Sequence, residues 1–398
     1  MRLFDTLSRE VKALDFPDDT VKMYVCGVTP YDTSHLGHAR VAVVYDTLRR
    51  YLEWTGLRVL YVQNVTDIDE PLFERALRDG VSWRELGDRQ TAFYLDALAR
   101  INVPRPEFYI KATDEIDEMI PRIASLVESD HAYVRDGAVY YRIRSKADFG
   151  AIAHADYATM LAMANEMGNK PDDPKKEDPL DFVLWQPSQP GEPEWPSPWG
   201  AGRPGWHIEC STMATHHLGP QLDIHGGGAD LIFPHHACEI AQAEPVTGVV
   251  PFTRSWMHVG LVSLGGTKMS KSLGNMVFVD QVLREHSANA LRLAILGRPY
   301  RAPWEYSGGD VPVAEQIAEA IAQALAVQTS DGVPAKTDGL RERFRAALDD
   351  DFNTPAAIAV LSDLAARILR GAASGQHPRP AQALLRELSG VLGLVFDA

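Results

Sequence analysis

The sequence predicts an α/β protein: a Rossmann-type parallel sheet split by an insertion, followed by an all-α helical domain. Three observations predict it. Between residues 21 and 101 short β-rich runs alternate with helical patterns, the alternation that builds parallel sheets. Between 105 and 205 that alternation stops, and from Pro171 to Pro204 the chain carries nine of its 26 prolines, which favours extended, loop-rich structure. From about Asp310 onward the apolar spacing is helical throughout. The expected divisions are 1–104 and 206–255 for the two halves of the sheet domain, 105–205 for the insertion, 256–309 for a following region, and 310–398 for the helical domain.

In chain order, VKMYVCG at 21–27 reads as a strand stopping at Gly27. The loop VTPYDTSHLGHA follows, and RVAVVYDTLRRYLEW places Val41, Val44, Leu48 and Leu52 at helical spacing. A second strand covers Leu57 to Val65 and runs into NVTDIDE; a helix covers roughly 83–101. Ligands of such sheets lie at the carboxyl ends of the strands, so Cys26, HLGH and TDID should share one rim. Within the insertion, an amphipathic helix is expected near 114–129 and a hairpin turning at Asp136-Gly137. The sheet resumes at GWHIEC. Leu222–His225 should be a strand entering GGG, with a helix from His236 and a strand over Ser255–Leu264. Near the end, Thr354 should cap a helix that has Pro355 at its first position and runs to about Leu369.

Composition narrows the function classes. A chain of 398 residues that is 45% hydrophobic and 23% charged is ordinary for a globular protein. No run of 18 apolar residues suggests a membrane span, and MRLFDTLSRE has no apolar signal core. Three cysteines make no disulfide framework, so a cytoplasmic protein with free thiols is expected. The net charge of −15 excludes indiscriminate nucleic-acid binding; a nucleic-acid substrate would need a local basic patch.

The chemistry concentrates in Trp206–Glu239, WHIECSTMATHHLGPQLDIHGGGADLIFPHHACE. It holds two of the three cysteines, six of the 13 histidines and a triple glycine. Imidazole, thiolate and carboxylate together suggest a metal, and the glycines suggest backbone packed close to a ligand. HLGH at His35–His38 stands just before a helix, where backbone amides favour anions. KMSKS at Lys268–Ser272, between glycines, is a loop with two lysines suited to closing over a polyphosphate. Either alone is more often a surface turn; in this order on a split sheet they reinforce each other.

HLGH with KMSKS resembles the class I aminoacyl-tRNA synthetases. MYVCGVT, NVTDID, DFVLW, GEPEWPSPWGAGRPGWHIECS, DIHGGGADLIFPHH, WMH and DDDFNTP narrow the resemblance to cysteinyl-tRNA synthetase over nearly the whole chain. The resemblance implies one zinc ion held by Cys26, Cys210, His235 and Glu239, a set that spacing alone would not assemble. Cys238 is read as no ligand, since Glu239, not residue 238, shares a helix face with His235. Further implied are His35 and His38 at the α-phosphate of ATP and Lys268 and Lys271 on the leaving phosphates with Mg²⁺. Gly226, Gly228 and Asp230 are implied at the adenosine. Gly27, Thr29, Thr66, Asp67, Trp206, His225 and His236 are implied around L-cysteine. His131, His154, His216, His217 and His377 are read as surface or structural groups.

The partners implied are tRNA(Cys), ATP and cysteine, in a monomer. Region 256–309 becomes the KMSKS stem-contact region, and 310–398 a helical domain of the tRNA-binding type. The chain also resembles the cysteine ligase of mycothiol biosynthesis, which shares the activation step but transfers cysteine to a small amine. Glu239 and DDDFNTP favour the tRNA acceptor, while GVTPYDTSHLGHA is at least as close to the small-amine ligase. The family usually continues past this helical domain into a small anticodon-reading module, so the sequence is read as a short form.

Overall fold

The structure, a computed structural model, describes residues 1–31, 34–269, 274–328 and 332–396. Its centre is a five-stranded sheet of β1 (Thr20–Val28), β2 (Arg58–Val65), β3 (Phe108–Lys111), β4 (Leu222–Gly228) and β5 (Thr253–Val259). The order is β5–β4–β1–β2–β3 and every pairing is parallel. β4 is buried along its whole length, as a parallel strand covered on both faces must be. From β1 the chain builds outward through β2 and β3, then returns to lay β4 on the other side of β1. That reversal opens a crevice at the carboxyl ends of β1 and β4.

Close approach of these strands explains the glycines. A Cβ on Gly226 would lie 1.7 Å from the Met257 carbonyl oxygen and 2.2 Å from the Tyr45 hydroxyl, which itself donates to that carbonyl at 2.5 Å. A Cβ on Gly27 would lie 1.7 Å from the Asn64 carbonyl oxygen. Both glycines are demanded by the sheet's own packing.

Helix α1 (Leu36–Trp54) begins inside HLGH rather than after it. His35 is its N-cap, accepting from the Gly37 amide at Nδ1 (3.1 Å), and His38 stands in the first turn. Gly37 costs little there because first-turn amides have no partner within the helix. β3 belongs to the central sheet, so the first half of that sheet reaches Lys111 and the insertion proper starts later than 105. It contains α2 (Ile116–Glu128) and a four-stranded antiparallel sheet, with the expected hairpin between Ala132–Arg135 and Ala138–Tyr141. Asp136 and Gly137 both take positive φ (48° and 78°), as a tight two-residue turn requires.

The second half supplies α3 (Trp206–Leu218) and α4 (Ala237–Thr247), the latter preceded by a wide turn over Ile232–His236. The single strand expected over Ser255–Leu264 is two. β5 ends at Val259, and Val262–Leu264 joins a separate small sheet; the 255/256 division falls inside β5. Gly260 permits the break, since a Cβ there would lie 2.3 Å from the Ala302 carbonyl oxygen.

Four helices close the chain: α5 (Asp310–Ala326), α6 (Leu340–Asp349), α7 (Thr354–Ala373) and α8 (Arg379–Val391). The cap of α7 is Asn353, which accepts from the Ala356 amide at 3.1 Å, and not Thr354 as expected. Thr354 is the first helical residue; its hydroxyl donates instead to the Leu296 carbonyl at 2.6 Å, and tertiary contact wins over local capping. One apolar core runs from α1 into these helices, including Leu48, Leu293, Phe344, Leu361 and Leu388. The fully buried Arg292 ties them together by bonding Asp46 at 2.6 Å and the carbonyls of Ile101 and Leu392 at 3.0 and 2.9 Å. Among the described residues no helix is long and apolar enough to cross a membrane.

Candidate functional site

Four donors from three chain segments meet at the crevice. Cys26 comes from the end of β1, Cys210 from α3, His235 from the wide turn, and Glu239 from the first turn of α4. Their ligating atoms all lie within 4.8 Å of one another. All four side chains are buried, Glu239 completely. Cys26 Sγ is 3.4 Å and His235 Nε2 is 3.2 Å from Glu239 Oε1. Burial, and for Cys26 next the neighbouring Cys210, pushes both thiols above the ordinary cysteine range; burial also holds His235 neutral.

The donor set fits a metal ion. His235 Nε2 is buried, makes no hydrogen bond among the described residues and faces the cluster, the position a metal-binding nitrogen would take. A tetrahedral zinc with bonds of about 2.0–2.3 Å spaces its ligands roughly 3.3–3.8 Å apart, close to the separations here. A divalent cation would displace the thiol protons and remove the cost of burying thiolates beside a carboxylate. A second combination, Cys26 with His225, His236 and Glu239, also converges. There, however, His225 Nε2 already bonds Glu239 Oε2 at 2.9 Å, and His236 Nδ1 bonds His258 Nε2 at 2.7 Å. His225 thus supports the Glu239 carboxylate, while His236 Nε2 faces Cys26 Sγ at 3.3 Å.

The supports extend outward. His207 Nδ1 lies 2.9 Å from His235 Nδ1, and Trp206 stacks on the His235 ring at 4.4 Å between centroids. Burial lowers the His207 pKa to about 3. His258 Nδ1 is 2.7 Å from the Thr6 hydroxyl, and burial lowers its pKa to about 3 as well. Sequence reasoning left His207 and His258 without roles, although WHIEC and WMH contain them. It also passed over Glu209, beside Cys210, whose buried carboxyl is pushed well up by desolvation and then by Asp69 and Asp67.

The other anticipated residues distribute around this centre. Thr66 is buried and its hydroxyl accepts from Asn64 at 3.2 Å. Asp67 turns both oxygens to Thr113, at 3.0 Å from the amide and 2.6 Å from the hydroxyl, a structural anchor the sequence did not reveal. Thr29 bonds Asp69 at 3.3 Å. Thr29, Trp206, His207 and Cys238 line a cleft of about 770 Å³ between the insertion and the sheet rim, together with Lys176 and Arg203. Gly228 is followed by Asp230 in a short helical turn, partly exposed at the rim.

The HLGH turn adjoins the same rim. The rings of His35 and His38 stack at 3.8 Å. The segment after KMSKS is laced to this turn: the Leu36 amide donates to the Val277 carbonyl at 2.9 Å, and Val279 donates to Ser34 at 2.9 Å. Lys268 pairs through its backbone with Ser263; Lys271 lies outside the described residues. The HLGH turn and the segment Val277–Val279, far apart in sequence, are therefore neighbours in space.

Comparison with known proteins places the chain among the tRNA synthetases. Residues 13–316 match the catalytic domain of the class I (C) tRNA synthetases, and residues 343–397 match the DALR domain. A cysteine–tRNA ligase of Dehalococcoides mccartyi is 44% identical over 401 residues, covering 99% of this chain and 86% of that protein. The L-cysteine:1D-myo-inositol 2-amino-2-deoxy-alpha-D-glucopyranoside ligase of Parafrankia sp. is 41% identical, covering 96% of this chain and 85% of that protein. The Mycobacterium tuberculosis methionyl-tRNA synthetase, in complex with methionyl-adenylate, shares the fold with a TM-score of 0.67 at 15% identity, over 94% of this chain and 88% of that one.

Proposed function

The chain belongs to the class I (C) tRNA synthetase family, and from that premise we propose that it is a cysteine–tRNA ligase that activates L-cysteine with ATP and transfers it to tRNA(Cys). The observation that carries this reading is the donor set Cys26, Cys210, His235 and Glu239, which meets beside the HLGH turn at the carboxyl ends of β1 and β4. Zinc held there would bind the substrate thiol as a thiolate, which a serine hydroxyl cannot imitate at neutral pH. Apolar packing separates two side chains of such similar shape poorly, so the donor set supplies the selectivity.

In this reading the remaining residues position the two substrates. Trp206, Thr29, Gly27, Thr66, Asp67, His225 and His236 enclose cysteine. His35 and His38 donate to the α-phosphate as the cysteine carboxylate attacks it, and pyrophosphate leaves toward Lys268 and Lys271 with Mg²⁺. Gly226, Gly228 and Asp230 face the adenosine. The terminal ribose hydroxyl of tRNA then attacks the cysteinyl-adenylate, and AMP departs. Glu239, the carboxylate of the donor set, is the residue on which the choice of tRNA over a small amine as acceptor leans.

Cysteine-dependent ATP–pyrophosphate exchange tests the first step, and its absence would end both ligase readings. Labelled cysteine is then offered with tRNA(Cys) and, separately, with glucosaminyl-inositol. Label on tRNA supports the proposal; label on the amine alone overturns it.

A further inference from the structure

A second set of metal-ligating side chains lies away from the crevice, where the insertion meets α3. Glu115, in the helical turn before α2, is buried, and its carboxylate faces two consecutive histidines in the last turn of α3. His216 Nδ1 is 2.7 Å from Glu115 Oε2, and His217 Nε2 is 2.8 Å from Glu115 Oε1. Consecutive helical side chains project about 100° apart. These two converge only because each presents a different ring nitrogen. Phe108 flanks His217 with ring centroids 5.9 Å apart, and Glu118, one turn along α2, adds a second carboxylate on the same side, held by Arg122 at 2.9 Å.

We propose that Glu115, His216 and His217 form a second divalent-metal site, selective for ions that accept imidazole, such as Zn²⁺, Co²⁺ or Ni²⁺. Two imidazoles and one carboxylate supply three donors of the right types. His216 is 41% exposed, so water can complete the coordination. The present nitrogen–oxygen separations need to open by only a few tenths of an ångström to accept metal bonds of about 2.0–2.2 Å. Metal binding would use the imidazole nitrogens that now face Glu115, with each ring's proton on its other nitrogen, and the Glu115 carboxylate would partly offset the charge of the ion. The last turn of a helix also favours a cation. Such an ion would pin α2 of the insertion to α3, the helix that carries Trp206 and Cys210.

The test uses the full chain with one equivalent of zinc already bound. Cobalt is added and followed by calorimetry and visible absorption. The site predicts one further equivalent with weak d–d bands and no thiolate-to-cobalt charge-transfer band, because it contains no sulfur. The His216→Ala/His217→Ala variant and Glu115→Gln should each weaken this equivalent at least about tenfold while retaining the first zinc, which also certifies their folding. Failure to take up a second equivalent at submillimolar cobalt, or uptake that both variants leave unchanged, overturns the proposal.

Discussion

His207 offers a direct test of how the proposed metal centre would be held. Its Nδ1 stands 2.9 Å from His235 Nδ1, so one ring donates and the other accepts. If His207 donated, the neutral His235 would carry its proton on Nε2 and could not ligate. Ligation therefore requires His235 to donate from Nδ1 to an unprotonated His207 Nδ1. A His207 pKa of about 3 keeps that acceptor neutral at any working pH. Replacing His207 with Ala removes the acceptor, leaves a buried N–H without a partner and releases the other tautomer. Loss of such an outer partner weakens metal binding about 10- to 100-fold, or roughly 1.4–2.7 kcal/mol. Competition between the apo protein and a chromophoric chelator measures the shift, and His207→Asn, whose carbonyl can accept the same bond, should recover much of it. An unchanged zinc affinity in His207→Ala would refute the tautomer argument.

Three other outcomes follow from the packing. Gly226→Ala should destabilise by about 3 kcal/mol or more, because its Cβ meets a strand carbonyl; Gly227→Ala, whose tightest contact is the Leu231 side chain at 2.9 Å, should cost less, and urea unfolding separates the two. Asp5 is buried and bonds the Trp256 and Ser8 amides and Lys12, at 2.9, 3.0 and 2.6 Å. Burial alone would raise its pKa, yet Lys12 and those amides hold it below the usual carboxylate value. Its contribution to stability is therefore present above about pH 4 and lost as pH falls through the depressed folded value. The gap in urea midpoint between the parent and Asp5→Asn should close on acidification; a gap that persists at low pH would contradict this. Asn353→Ala should cost about 1 kcal/mol as a lost helix cap, whereas Asn353→Asp should cost little.

Much of this was legible in the sequence because period and chemistry coincide. The alternation through residue 101 made the parallel sheet legible. What escaped depends on contacts distant in sequence. Nothing near Thr354 reveals that its hydroxyl is taken by Leu296, so the adjacent Asn353 became the cap. Nothing in SWMHVGLVSL reveals that Gly260 must pass against the Ala302 carbonyl and end the strand. In the site, Cys26 could be joined to Cys210 only through family resemblance, since periodicity says nothing of which loops meet at a reversal of strand order. His207 and His258 were overlooked because their roles lie in which nitrogen faces which ring. Glu115, a carboxylate bridging the two histidines at the end of α3, could not have been paired with them from spacing.

The scattering of the proposed metal donors along the chain would also set a timetable for making the protein. Cys26 and Glu239 are 213 positions apart. At translation rates of about 5–20 residues per second, Cys26 waits roughly 10–40 s after synthesis before its last co-ligand is made. Until β4 docks beside β1, no local segment can bind zinc with more than a fraction of the final donor set. Cys210, His235 and Glu239 lie on one short stretch, so a metal held there would gain its fourth donor, Cys26, only when the sheet closes, unlike in small zinc modules whose donors are all local. During that interval Cys26 is an unprotected thiol on a nascent chain. Oxidant exposure during synthesis should then harm the yield of active protein far more than the same exposure after folding.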